Sequence, residues 1–188
     1  MKSVLFTDDT VLVQSDNSRG KLQNSVNHKK TKVMDWLTAN KLSLNISKTK
    51  YMLITNKHVS TESFVINVNS NRIERTLTYK YLGVIVDEKL TWKEHCKQLC
   101  CTISKYVGAM YKVKLYVNNQ ALRMLYHSLI NSRAQYGIIV WGKEASCQLQ
   151  PISVVLSRAV RCLNADKLLT NKLLAFIKCK NSPTKRYI

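Results

Sequence analysis

Apolar and polar positions alternate with a short period at the start of the chain. Ser3–Phe6 and Thr10–Gln14 are runs dominated by Val, Leu, Phe and Thr, parted by Thr7, Asp8 and Asp9. They predict a β-hairpin with the acidic pair at or near its tip. From about Ser18 to Asn40 the period lengthens. Leu22, Val26, Val33, Trp36 and Leu37 share one helical face, while Lys21, Lys29, Lys30 and Lys32 lie mostly elsewhere. That pattern predicts an amphipathic helix with one buried stripe, Ser18 as its N-cap and Asn40 as its C-terminal stop.

A strand-prone stretch follows. Leu42–Asn45 and Thr49–Thr55 flank the polar turn Ile46-Ser47-Lys48, Phe64–Val68 alternates, and Asn67–Asn71 is rich in turn formers. Tyr79–Asp87 gives the last strand-like run. Beyond it the spacing is helical. Trp92, Cys96, Leu99, Ile103, Tyr106, Val107 and Met110 trace a long stripe, and Asn118 is placed to cap a second helix burying Leu122, Leu125, Tyr126 and Leu129. A third helix is expected over Ala134–Trp141, ending at Gly142, a fourth over Ile152–Leu163, and a weaker fifth over Leu168–Lys178. Asn181–Ile188 holds Pro183 and reads as a frayed end. The expected class is α+β, antiparallel strands with a packed helix followed by an all-helical module. The expected domains are residues 1–90, 91–165 and a basic extension over 166–188.

Charge changes this picture. Among 188 residues, 30 Lys and Arg stand against 11 Asp and Glu, a formal net charge of +19. Up to Trp92 there are 14 basic and 8 acidic residues; after it there are 16 and 3. The excess therefore sits in the helical half and points to a polyanion, with nucleic acid the favoured class over an anionic membrane. Apolar runs such as Ile138–Trp141 fall far short of a membrane helix. Lys2 is followed by only Val4, Leu5 and Phe6 before two aspartates, unlike a signal peptide. The six cysteines form no disulfide framework, so an intracellular protein, nuclear or cytoplasmic, is expected.

Phe6-Thr7-Asp8-Asp9 carries the sharpest chemistry. Adjacent carboxylates repel, and a turn needs only one Asp. A divalent ion resolves the conflict, because Mg²⁺ prefers carboxylate oxygens, and paired carboxylates of this kind serve two-metal phosphoryl transfer. A plain exposed Asp-Asp turn is the competing reading.

The stretches that follow, taken in order, resemble the reverse transcriptases of LINE-type (non-LTR) retrotransposons of the jockey or CR1 kind. In that family an aromatic-x-Asp-Asp hairpin precedes a helix ending in Trp-Leu and a turn rich in Asn, Ser and Lys. Here these are Phe6–Asp9, Asp35-Trp36-Leu37 and Lys41–Lys50. Tyr81-Leu82-Gly83-Val84 with Asp87 resembles the strand element that grips the primer. Tyr126–Ile130, Gln135-Tyr136-Gly137, Val140-Trp141-Gly142 and Arg158–Leu163 resemble the thumb. The likeness spans roughly residues 3–165.

The resemblance implies a partial polymerase palm and a helical thumb, with RNA template, DNA primer and deoxynucleotides as partners. It makes Asp8 and Asp9 ligands of two Mg²⁺ ions. Lys48 takes the place of a general acid for the departing pyrophosphate, against a plain turn lysine. Tyr81, Leu82 and Gly83 would support the primer end, against a buried strand with a bulge. Lys105, Lys112, Lys114 and Arg123 would meet duplex phosphates. Two departures matter. Thr7 stands where the family usually has Ala, and the earlier aspartate-bearing strand has no counterpart, since Met1 lies five residues before Phe6. A fragment inactive on its own is therefore expected, missing the N-terminal half of the polymerase. The alternatives are a non-catalytic basic nucleic-acid-binding module and a functionless relic. A palm without its partner strands should also expose a sheet edge and apolar surface.

Other constellations are weaker. His95, Cys96, Cys100 and Cys101 lie close together, but the separated Cys147, Cys162 and Cys179 supply no second zinc knuckle, so buried helix cysteines are expected. Tyr106, Tyr111, Tyr116 and Tyr126 lie on basic helices and suit base stacking. Their helical spacing instead makes them core residues.

Overall fold

Antiparallel pairing of β1 (Lys2–Phe6) with β2 (Asp9–Val13) opens the chain, in the register Lys2↔Val13 through Phe6↔Asp9. The computed structural model describes residues 2–6, 9–55, 64–68, 71–142 and 146–163, the side chains of 146–148 excepted. The chain divides into two compact units, Met1–Leu77 and Thr78–Ile188.

In the first unit, α1 (Arg19–Ala39) falls where the spacing predicts, between Ser18 and Asn40. Ser18 contributes its backbone rather than its hydroxyl: its carbonyl accepts from Leu22, and its own N–H donates to Asp16 Oδ1 at 3.3 Å. Asn40 closes the helix, its side-chain amide donating to the Trp36 carbonyl at 2.8 Å. The expected buried stripe does not form. Leu22, Val26, Val33 and Leu37 are half-buried and Trp36 is exposed. A stripe is buried only when an apolar surface of similar length faces it. Here the remaining strands of the unit are two residues long and largely polar.

Those strands are β3 (Lys50–Tyr51), β4 (Asn67–Val68), β5 (Asn71–Arg72) and β6 (Glu74–Arg75). β3 pairs parallel with β6, which sets Lys50 beside Glu74 in a 3.2 Å ion pair, and β4 pairs antiparallel with β5. The strand expected over Leu42–Asn45 is absent, and Thr49–Thr55 yields only β3. Instead Asn45 organises a turn. Its carbonyl accepts from Lys48 N, Thr49 N and Thr49 Oγ1, and its side-chain oxygen accepts from Ser47 Oγ at 2.7 Å. Phe64, Val68 and Ile73 are buried, and the Tyr51 ring lies tilted on Phe64 with its hydroxyl donating to the Phe64 carbonyl.

In the second unit, Tyr79–Asp87 is a hairpin rather than one strand: β7 (Thr78–Tyr81) and β8 (Val84–Asp87) pair antiparallel across Leu82-Gly83. Helix α2 (Lys93–Val113) buries Cys96, Leu99, Ile103, Val107 and Met110 of the predicted stripe together with His95, while Trp92 and Tyr106 of that stripe are half-buried. α3 (Asn119–Leu125) is capped by Asn118, whose Oδ1 accepts from Ala121 N at 2.8 Å. It runs through a π-helical stretch (Tyr126–Asn131) into α4 (Ser132–Gln135), with right-handed helical backbone at both junctions. The expected third helix breaks at Tyr136-Gly137, where Gly137 takes φ +64°, and resumes as α5 (Ile138–Trp141). α6 (Ser146–Cys162) begins earlier than expected and carries Pro151 inside it.

One core joins these helices. α2 packs chiefly on α6, with Tyr126, Ile130, Ile138 and Trp141 filling the space between. Trp141 is fully buried, and truncating such a residue typically costs about 3–5 kcal/mol. The helix expected over Leu168–Lys178, Cys179 and the extension 166–188 lie outside the described residues.

Candidate nucleic-acid interface

Each unit carries part of the residue set singled out from the sequence. In the first, Asp9 is the first residue of β2 and is exposed, paired in register with Phe6. Thr7 and Asp8 fall between them and lie outside the described residues. Asp9 is an available hard oxygen donor on a hairpin, which suits Mg²⁺. Among the described residues no group of three or more His, Cys, Asp or Glu side chains could hold a metal ion. Lys48 sits exposed in the turn that Asn45 organises, its N–H donating to the Asn45 carbonyl and to Asn45 Oδ1, both at 3.2 Å.

In the second unit, the Tyr81-Leu82-Gly83 stretch forms the hairpin tip. Leu82 takes φ +45° and Gly83 φ +81°, so both central residues of the two-residue loop are left-handed, the backbone pattern of a type I′ turn. Gly83 meets that demand freely, whereas for Leu82 it costs roughly 1–2 kcal/mol. The turn is held from a distant part of the sequence. Tyr136 Oη donates to the Leu82 carbonyl at 2.6 Å, and a Cβ on Gly83 would lie 3.4 Å from the Tyr136 ring. Trp141 Nε1 in turn donates to the Tyr136 carbonyl at 2.9 Å, and a Cβ on Gly137 would press to 3.1 Å from Val84. Two motifs read separately from the sequence, Tyr81–Val84 and Gln135–Gly142, are thus one assembly.

Asp87 at the other end of the hairpin is an organiser of backbone. Its carboxylate accepts from Thr91 N at 2.9 Å, Trp92 N at 2.8 Å, Lys89 N at 3.1 Å and Thr91 Oγ1 at 3.3 Å. That network holds Trp92 in the left-handed conformation preceding α2. One turn into α2, His95 is buried against the Trp141 ring, and its Nδ1 accepts from Ile85 N at 3.3 Å. Burial lowers its pKa below the ordinary imidazole value, and its Nε2 has no partner. Sequence reasoning set Asp87 beside the primer-gripping strand and His95 beside the cysteines, and gave neither these structural roles nor any role to Tyr136 Oη. Asp87, followed by four residues without a strand or helix pattern, carried a loop-capping signal; the other two depend on contacts far apart in the chain.

The cations form the remainder. Lys105, Lys112 and Arg123 are exposed and Lys114 is half-buried. Lys105 and Lys112 are seven residues apart on α2, on the face opposite the buried stripe. From His95 to Leu163 the described residues include Lys97, Lys105, Lys112, Lys114, Arg123, Arg133, Arg158 and Arg161 and no carboxylate. Arg133 lies over the Tyr106 ring at 4.9 Å. A surface of one sign on this scale attracts phosphates.

Cysteine chemistry is muted. Cys96 and Cys162 are buried thiols outside any disulfide, and burial raises the Cys162 thiol, with Lys114 opposing in part. Cys100 is raised by burial and then by Cys101 beside it. The tyrosines divide. Tyr126 is fully buried as expected, while Tyr111 and Tyr116 are exposed. No described helix is long and apolar enough to cross a membrane.

Comparison with known proteins supplies relatives but no template. No family model matches the chain, and no solved structure matches it. It is 25% identical over 164 residues to a probable RNA-directed DNA polymerase from transposon BS of Drosophila melanogaster, covering 84% of this chain and 18% of that protein. It is 29% identical over 113 residues to a retrovirus-related Pol polyprotein from a type-1 retrotransposable element, R1 2, of Nasonia vitripennis, covering 57% of this chain and 27% of that one. An RNA-directed DNA polymerase from mobile element jockey of Drosophila funebris is 26% identical over 132 residues, covering 68% and 14%. The chain thus spans well under a third of each relative.

Proposed function

From its distant homology to the reverse transcriptases of non-LTR retrotransposons, shared over most of its length, we propose that this chain is a palm-and-thumb piece of an RNA-directed DNA polymerase. In this reading residues 1–90 are a partial palm and residues 91–165 a helical thumb. Asp8 and Asp9, of which Asp9 opens β2, are the residues that would hold Mg²⁺, and Lys48 would pass a proton to pyrophosphate. Bound there, Mg²⁺ would supply charge neutralisation at the transferring phosphoryl group. The hairpin tip at Tyr81, Leu82 and Gly83 supports the primer end, and Lys105, Lys112, Lys114 and Arg123 take the phosphates of an RNA/DNA duplex.

The observation that carries the reading is the Asp8-Asp9 pair of the sequence, with Asp9 opening a strand of an antiparallel hairpin, in a chain whose relatives are polymerases. Two carboxylates do not fill an octahedral ion or position a nucleotide. The purified chain is therefore expected to bind an RNA/DNA duplex but leave the primer unextended with Mg²⁺ and deoxynucleotides. Binding should weaken steeply with salt, and Lys112→Gln should reduce the salt slope by about one. A chain that ignores the duplex at low salt would defeat the proposal. The concentration of cations in the second unit favours one other reading, a nucleic-acid-binding module without catalysis. Binding of Mg²⁺ that is lost in Asp8→Asn with Asp9→Asn separates the two.

A further inference from the structure

The turn between α2 and α3 presents two of the most exposed large apolar side chains among the described residues, Leu115 at 83% and Tyr116 at 87%. Such residues on a tip are costly in water unless a partner covers them. The tip is held firmly. Lys114 N donates to the Met110 carbonyl, Tyr116 N to the Val113 carbonyl, and Asn118 caps α3 directly behind it. Val117 packs partly into the core, anchoring the turn from within. The ring is therefore presented on a fixed backbone.

Its surroundings select the partner. Lys112 lies one turn before the tip and Arg123 in the second turn after it, both exposed, and no carboxylate lies among the described residues of α2 after Glu94, of α3 or of α4. We infer that Leu115-Tyr116 is a stacking platform for an unpaired base of single-stranded nucleic acid, with Lys112 and Arg123 taking the neighbouring phosphates. This rests on the nucleic-acid part of the reading above and is independent of catalysis. A free base offers the π-face that a flat phenol ring covers, and every base has one, so the contact is sequence-tolerant. A base inside a duplex has that face already covered. An anionic bilayer would also accept Leu, Tyr and Lys, but two apolar side chains on a short turn give little area to bury in it.

The test is fluorescence anisotropy of a labelled single-stranded oligonucleotide of about 20 nucleotides, with the full chain. Tyr116→Ala is expected to weaken binding about tenfold and Tyr116→Phe to retain it, because stacking needs the ring and not the hydroxyl. The salt slope should be unchanged in Tyr116→Ala and lowered in Lys112→Gln, which distinguishes stacking from charge. Both exposed variants should melt like the parent by circular dichroism. Equal affinity for the parent and Tyr116→Ala overturns the inference while leaving salt-dependent nucleic-acid binding intact. Failure of the parent to bind any oligonucleotide removes both. Co-sedimentation with phosphatidylserine vesicles that depends on Tyr116, with oligonucleotide binding unaltered by its loss, would reassign the tip to membranes.

Discussion

Tyr126 is fully buried, yet its hydroxyl has no partner, and burial pushes its pKa up to about 12. An orphaned hydroxyl in the core carries a desolvation cost without a bond in return. Tyr126→Phe is therefore expected to stabilise the protein by about 1 kcal/mol in urea unfolding. Asp87 is the opposite case. Asp87→Ala leaves three backbone N–H groups of the loop before α2 without their carboxylate. It should cost about 2–3 kcal/mol, read in the same titration. At this scale the sequence was informative about residue type and poor on partners. The Gly83 and Gly137 positions were visible as glycines in motifs, but the clamp between Tyr136 and Leu82 joins residues 54 apart, and nothing local announces it.

Elements were more legible where a whole face is buried. The stripe of α2 was predicted residue by residue because each of Cys96, Leu99, Ile103, Val107 and Met110 meets the same core. α1 has the same kind of pattern and the boundaries it implies, yet buries nothing fully, because periodicity describes a face and not what opposes it. The run Tyr79–Asp87 read as one strand, since Leu82 at positive φ disguises a turn as a continuing apolar segment. Within α2, a Cβ on Gly108 would meet nothing within 4 Å. Gly108→Ala should raise stability by about 1 kcal/mol by restoring helix propensity, measurable as a higher urea midpoint.

His95 couples α2 to β8 through the Ile85 N–H, and only the unprotonated Nδ1 can accept it. Its folded pKa is lowered from 6.5. The contribution is thus complete above that value and is lost as pH falls below it, through the lowered folded pKa. Unfolding free energy should fall on acidification below about pH 6.5 in the parent and fall less in His95→Phe, which checks the assignment against the other histidines.

Across the whole molecule, the two units differ in how much they bury. Buried residues of the second form a continuous core, whereas the first buries Phe64, Val68 and Ile73 and leaves both faces of its opening hairpin open, Phe6 at 57%. Hydrogen exchange should therefore find the slowest amides in α2 and α6, and fast exchange along β1 and β2. Equal protection in both units would contradict the burial pattern. The candidate site follows the same division. Its cations and motifs were singled out from order and charge, while among the described residues no group of three or more His, Cys, Asp or Glu side chains completes a metal set.

The scarcity of carboxylates among the helices also sets how the fold responds to its solvent. With 11 acidic residues against 30 basic ones, added electrolyte chiefly relieves mutual repulsion of the lysines and arginines. Potassium chloride should then raise the melting temperature over the range in which it strips polyanions from the surface. Under the proposed nucleic-acid binding, thermal resistance and ligand retention would move in opposite directions along one titration.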